Sequence, residues 1–222
     1  MCKGQLRKQT WHSGNSFGSK LWSDGYMIAS MMMDPVVMAN CPHCSSIFWV
    51  ADAQEVGDVP EPEYFDEVVE VKRALWFGTK KVKKSGRRDS DLASLPMIQH
   101  ADVAGISTAL DQLTAEDEPW KEEYVRTRLW WAFNDRFREI PDAASDASIV
   151  EENRQNLERL ITLVDPDNDQ GRLKSASILL ALGRFGDARA ILAMMEEERM
   201  FQFRDRFIQA ADQSQSKVFR LR

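Results

Sequence analysis

The sequence predicts an α+β protein: a small cysteine-containing β module over residues 1–60, followed by a mainly α-helical domain over residues 61–222. Three observations predict it. Gln5 to Val50 is rich in Gly, Ser, Asn, Met and aromatic residues with closely spaced turn signals. Two cysteines stand as Cys41-Pro42-His43-Cys44, and from Ala101 almost to the end apolar residues recur at helical spacing. At 222 residues, 43% hydrophobic and 29% charged, the chain can bury a core of its own, a length that suits one compact domain and a smaller appended module.

In the module, Ser13-Gly14-Asn15, Gly18 and Ser23-Asp24-Gly25 signal turns, so short strands are expected between them. Ser16 to Trp22 and Ser46 to Val50 carry aromatic or branched residues between turn-formers and are the strand candidates. Ala51 to Pro62 is acidic, contains Pro60 and Pro62, and reads as a linker with a domain boundary near residue 60. Phe65, Val68 or Val69, Lys72 and Leu75 or Trp76 are spaced about a helical turn apart, which predicts a helix over Glu63 to Phe77 ending at Gly78. Thr79 to Ser90, with Lys80, Lys81, Lys83, Lys84, Arg87 and Arg88 around Ser85-Gly86, reads as an exposed basic loop.

Asp102 is placed to cap a helix running to about Leu113, with Val103, Ile106 and Leu110 on one side. Pro119 starts the next helix, in which Val125, Leu129 and Ala132 form a stripe widened by Tyr124 and Trp131, and Pro141 stops it. After the polar Asp142 to Ser148 link, Glu152 to Val164 places Leu157, Leu160, Ile161 and Val164 on one face before Asp165-Pro166. Two helices around Leu182-Gly183-Arg184-Phe185 form a hairpin over residues 170–195, in which Ala176 and Ala188 permit close approach and Phe185 plugs the corner. A last helix, Met200 to Asp212, buries Phe203, Phe207 and Ala210, and Val218 and Leu221 dock the tail.

The net charge of −6 excludes a protein that coats nucleic acid with its whole surface, which needs a broad excess of Lys and Arg, although a local basic patch remains compatible. No stretch reaches the roughly 20 apolar residues that cross a bilayer, and Met27 to Ala39 is interrupted by Asp34 and Pro35. Met1 to Thr10 is basic without the apolar run of a signal peptide, so a cytoplasmic protein is expected. Three cysteines do not make a disulfide framework, and in a reducing compartment the Cys41/Cys44 pair points to metal or redox chemistry.

The hairpin residues Ala176, Gly183, Phe185 and Ala188 resemble a tetratricopeptide (TPR) unit, although the early Trp is absent and Met200 stands where a closing Pro is expected. More broadly, Ser13-Gly14-Asn15-Ser16-Phe17-Gly18, Leu21-Trp22-Ser23-Asp24-Gly25, Cys41-Pro42-His43-Cys44 with Phe48-Trp49, and Leu129-Trp130-Trp131-Ala132-Phe133-Asn134-Asp135 occur in that order. In this the chain resembles an uncharacterised bacterial family that joins a zinc-ribbon-like N-terminus to a TPR-like helical C-terminus. The resemblance implies a first Cys-x-x-Cys pair, of which only Cys2 stands here, and a Gly after the second pair, where this chain has Ser45.

A structural zinc takes four ligands in a tetrahedron, and thiolates spaced as Cys41 and Cys44 chelate it from one knuckle. Cys2 is the candidate third ligand and His12 or His43 the fourth; the competing reading is a relic knuckle held by Trp11, Phe17, Trp22, Phe48 and Trp49. A thioredoxin-type dithiol fits less well, because that motif opens a helix, whereas this one precedes strand-like residues. Trp130 and Trp131 with Asn134, Asp135 and Arg136 suggest a ligand pocket, but adjacent tryptophans on a helix diverge by about 100 degrees, and core packing is the favoured reading. Glu116, Asp117, Glu118, Glu122 and Glu123 are potential partners for the basic segment, and Glu196, Glu197 and Glu198 read as an exposed helix face. The expected role is non-enzymatic protein or peptide binding, with structural zinc as cofactor and no membrane. The alternative is a nucleic-acid-binding regulator using the ribbon and residues 80–88, and a hydrolase or redox enzyme stands third.

Overall fold

In a computed structural model of the chain, residues 2–10, 14–60, 63–72, 79–88, 90–114, 116–140 and 146–222 are described. The readings that rest on Trp11, His12, Pro62, the Phe77-Gly78 helix end, Pro141 and Asp142 lie outside these residues. The chain forms two compact units that interleave in sequence: Met1–Thr10 with Val36–His100, and Trp11–Pro35 with Ala101–Arg222. Residue 60 falls inside the first unit.

In the first unit, β3 (Met38–Asn40) and β4 (Ile47–Trp49) pair antiparallel with Asn40 facing Ile47, closing a hairpin around the two cysteines of the knuckle. Met38 and Ala39 are almost fully buried, as is Ile98. The N-terminal segment joins by main-chain bonds: the Arg7 N–H donates to the Pro96 carbonyl at 2.8 Å, and the Ile98 N–H to the Arg7 carbonyl at 2.9 Å.

The helix read over Glu63 to Phe77 is overturned. Residues Glu63–Lys72 form strand β5, which pairs antiparallel with β6 (Thr79–Arg88), so the basic loop is a strand as well. The branched and aromatic residues Tyr64, Phe65, Val68, Val69 and Val71 favour an extended backbone. The register sets Glu63 opposite Arg88, Glu67 opposite Lys84 and Glu70 opposite Lys81, pairings of the kind that favour an antiparallel ladder.

In the second unit, β1 (Lys20–Leu21) and β2 (Met27–Ile28) make a short hairpin, narrower than the strand expected over Ser16 to Trp22. Residues 219–222 extend it: the Leu221 N–H donates to the Leu21 carbonyl at 2.8 Å, the Ser23 N–H to the Phe219 carbonyl at 2.8 Å, and the Phe219 N–H to Ser23 Oγ at 3.1 Å. The tail therefore docks as expected, through its main chain.

The helices follow the sequence closely. In α1 (Val103–Gln112), Asp102 caps the start by accepting the Gly105 N–H at 2.8 Å; Ile106 and Ala109 are buried, whereas Val103 is exposed. Helix α2 (Pro119–Glu139) starts on its proline and buries Val125, Thr127, Trp130, Asn134 and Phe137, so its inner face is rotated from the expected Leu129 and Ala132. Asp146 caps α3 (Ala147–Leu160), and Asn168 caps α4 (Asp169–Ala181).

Helix α4 ends at Gly183, whose φ of 73° closes a Schellman turn: the Arg184 N–H donates to the Leu179 carbonyl and the Gly183 N–H to the Leu180 carbonyl. Helix α5 (Phe185–Leu192) returns against it, and α6 (Phe201–Asp212) packs on both. Helix α4 sits between two cores. Ala176, Leu179 and Leu180 join Ala188, Leu192, Phe207 and Ala210, with Phe185 packed alongside; Ile178 joins Trp130, Leu157, Leu160 and Val164. Among the described residues no helix is long and apolar enough to cross a membrane.

Candidate metal centre

Cys41, Cys44 and Cys2, the three residues selected from the sequence, come together. Their sulfurs all lie within 4.8 Å of one another, and Cys41 Sγ is 3.9 Å from Cys2 Sγ. All three are free thiols; Cys41 is buried, while Cys2 and Cys44 are exposed.

The knuckle is built by main-chain bonds: the Cys41 N–H donates to the Ser46 carbonyl at 2.8 Å, and the Ser45 N–H to the Cys41 carbonyl at 2.7 Å. Ser45 closes it with φ 59°, the left-handed conformation that glycine adopts without penalty. Cys2 is brought in by a close approach. A Cβ on Gly4 would sit 2.2 Å from the His43 ring, so glycine lets the N-terminal segment lie against that ring without displacing it, and His43 Nε2 donates to the Gln5 carbonyl at 3.1 Å. The ring nitrogens of His43 are not among the ligand atoms that group with the three sulfurs. His12, the other histidine considered as a ligand, lies outside the described residues.

The thiols differ electrostatically. Cys44 is lowered to about 7, chiefly by hydrogen bonding to the Ser46 hydroxyl, 2.9 Å away, and to the Ser46 main chain, with further help from Cys41 and Cys2. For Cys2 the Gly4 N–H pulls the thiol down, but its hydrogen bonds with Cys44 and Cys41 push it up, and the net shift is upward. The Cys44 sulfur is thus poised to ionise near neutrality, and a group of three thiols this close could hold a metal ion.

The tryptophan motif resolves as packing. Trp130 lies in the helical core, and Trp131, about 100 degrees round the helix, meets the segment of residues 14–35, donating its indole N–H to the Asp24 carbonyl at 2.9 Å and lying 5.3 Å from the Tyr26 ring. That segment belongs to the helical unit, not to the cysteine hairpin. Asp135 pairs with Arg138, and the Arg136 guanidinium covers Phe133 at 4.6 Å.

A feature missed in the sequence sits beside them. Asp24, with a fully buried side chain, pairs with Arg138, accepts the Asn134 amide at 2.8 Å and accepts the Tyr26 N–H at 3.1 Å; the Arg138 guanidinium also stacks 4.2 Å from Tyr26. Burial raises the Asp24 carboxyl, while Arg138, Asn134 and the Tyr26 N–H oppose the shift. The available signal was aromatic company: an Asp midway between Trp22 and Tyr26, and an Arg one helical turn from Asn134 and two from Trp131.

The acidic segment also has other partners than the basic strand. Glu122 bonds Arg126 and Arg159, and Glu123 bonds Lys174 at 2.7 Å, within the second unit. Glu196, Glu197 and Glu198 are exposed between α5 and α6, where Glu198 opens a short 3-10 helix and the other two precede it; the Glu196 and Glu197 N–H groups donate to the buried Asp169 carboxylate. The whole is an α+β chain of two compact units, one of them carrying a three-cysteine cluster. No protein-family profile, curated protein or solved structure matches it.

Proposed function

We propose that the chain is a non-enzymatic interaction protein whose first unit is a zinc-ribbon-like module stapled by zinc on Cys2, Cys41 and Cys44. The spacing of the sulfurs carries the zinc reading. Bonds of about 2.3 Å in a tetrahedron set two sulfurs about 3.8 Å apart, and Cys2 and Cys41 lie 3.9 Å apart. Soft thiolate donors suit zinc, and an ion that joins the N-terminal segment to the β3–β4 hairpin turns binding energy into folding energy.

Metal content by mass spectrometry tests it: near-stoichiometric zinc, lost together with thermal stability in Cys41→Ser, is expected. A zinc-free chain with a variant as stable as the native one overturns it.

The interaction role draws support from Phe17, Met27, Ile28, Met31 and Met32, exposed large apolar side chains on residues 14–35 of the second unit, beside a helical domain with a TPR-like α4–α5 hairpin. Flexible, polarizable methionines suit a protein partner that presents apolar side chains of its own. A photo-reactive residue at position 31 or 32 is expected to capture one and the same protein in cells, and one at the exposed position 152 is not. Indiscriminate capture at all three positions counts against the role.

The nucleic-acid reading has the six basic residues of β6 in its favour and the facing acids of β5 against it. Strongly salt-dependent RNA or DNA binding would promote it.

A further inference from the structure

A small, partly open recess of about 10 Å³ lies in the second unit between Ser23, Asp24, Trp130, Asn134 and Ser177, bounded by residues 216–219. Trp130 is 1% exposed, and its indole N–H has no acceptor among the described residues. We propose that this space is a binding site for one water molecule, which accepts the Trp130 N–H and the Ser23 hydroxyl proton and donates to the Asp24 carboxylate.

Size, polarity and charge all select that ligand. A space of about 10–15 Å³ on this measure holds one water, and a buried water needs two to four polar partners. The wall offers an unmatched donor in Trp130, a carboxylate in Asp24 and hydroxyls in Ser23 and Ser177. Ser23 Oγ already accepts the Phe219 N–H, so its own proton is available to a second oxygen. A cation is not required, because Arg138 already neutralises Asp24, and an organic molecule does not fit the volume. The site would join four pieces of chain: the N-terminal segment, α2, α4 and the tail.

The test is NMR on the full chain with ¹⁵N-labelled tryptophan. The Trp130 indole proton should show cross-relaxation at the water frequency with the sign of a long-lived proton pair. Trp131, whose indole N–H is satisfied directly by the Asp24 carbonyl, should not. Trp130→Phe should remove the peak and so assign it. Ser177→Val, which fills the space and leaves the indole in place, should abolish the water signal while the helical circular dichroism is kept. A Trp130 indole without the water signal in the native chain, or a signal that survives Ser177→Val, overturns the proposal.

Discussion

Ser45 and Ser214 hold left-handed backbone, φ 59° and 53°, one in the knuckle and one in the turn that ends α6. A Cβ there costs about 1 kcal/mol, so Ser45→Gly and Ser214→Gly should each raise the unfolding free energy by roughly that amount, measured by chemical denaturation. The Asp24 pair carries the opposite expectation. Removing one partner of a buried ion pair leaves the other charge stranded, so Asp24→Ala should lose about 3–5 kcal/mol, and the double variant with Arg138→Met should lose less than the sum of the two, measured by chemical denaturation. At the cysteines, a metal must displace the thiol protons. Zinc affinity should therefore fall as pH drops below 7, where Cys44 protonates, and binding above it should release protons, as titration in two buffers would show. The knuckle was legible because two residues of spacing fix it locally. Cys2 was legible only as a candidate, since main-chain bonds at Arg7 and the Gly4–His43 approach position it, and neither leaves a side-chain pattern. Asp24 and Arg138 stand 114 residues apart, and no local rule joins them.

Caps and stops made the helices readable: Asp102, Pro119 and Gly183 lie where the chain turns into or out of a helix. The β5–β6 ladder was not readable in the same way, because Phe65 and Val69 satisfy both a helical turn and an alternating strand, and the partner strand that decides between them starts ten or more residues later. Between α2 and α3, Arg159 and then Arg126 hold the Glu122 carboxyl down at about 2. A depressed folded-state value means stability that is present above the ordinary carboxyl range and is lost as pH falls from about 4.5 toward 2. Glu122→Gln should accordingly flatten the acid limb of the stability profile in that window. Glycines separate two kinds of helix position. A Cβ on Gly171 would lie 1.8 Å from the Asp165 carbonyl oxygen, while one on Gly186 meets nothing within 4 Å. Thermal unfolding should show Gly171→Ala as clearly destabilising and Gly186→Ala as neutral or stabilising by up to about 1 kcal/mol.

Across the whole molecule, division into two units predicts that metal withdrawal acts locally. Chelation should strip hydrogen-exchange protection from residues 38–49 and leave that of α4 intact, measured by exchange mass spectrometry. A sequence boundary near residue 60 could not foresee the interleaving, because no composition shift marks residues 11 and 35 as places where the chain changes unit. The bond from the Phe219 N–H to Ser23 spans 196 residues, and Leu21 is held by Leu221 and Arg222. On the ribosome, then, the strands at Leu21 wait for residues 219–222, made 196 and more positions later. Until those leave the exit tunnel, the segment around Asp24 has its helix but not the stretch that covers its edge, and a nascent chain stalled before them would present that edge to proteases and chaperones.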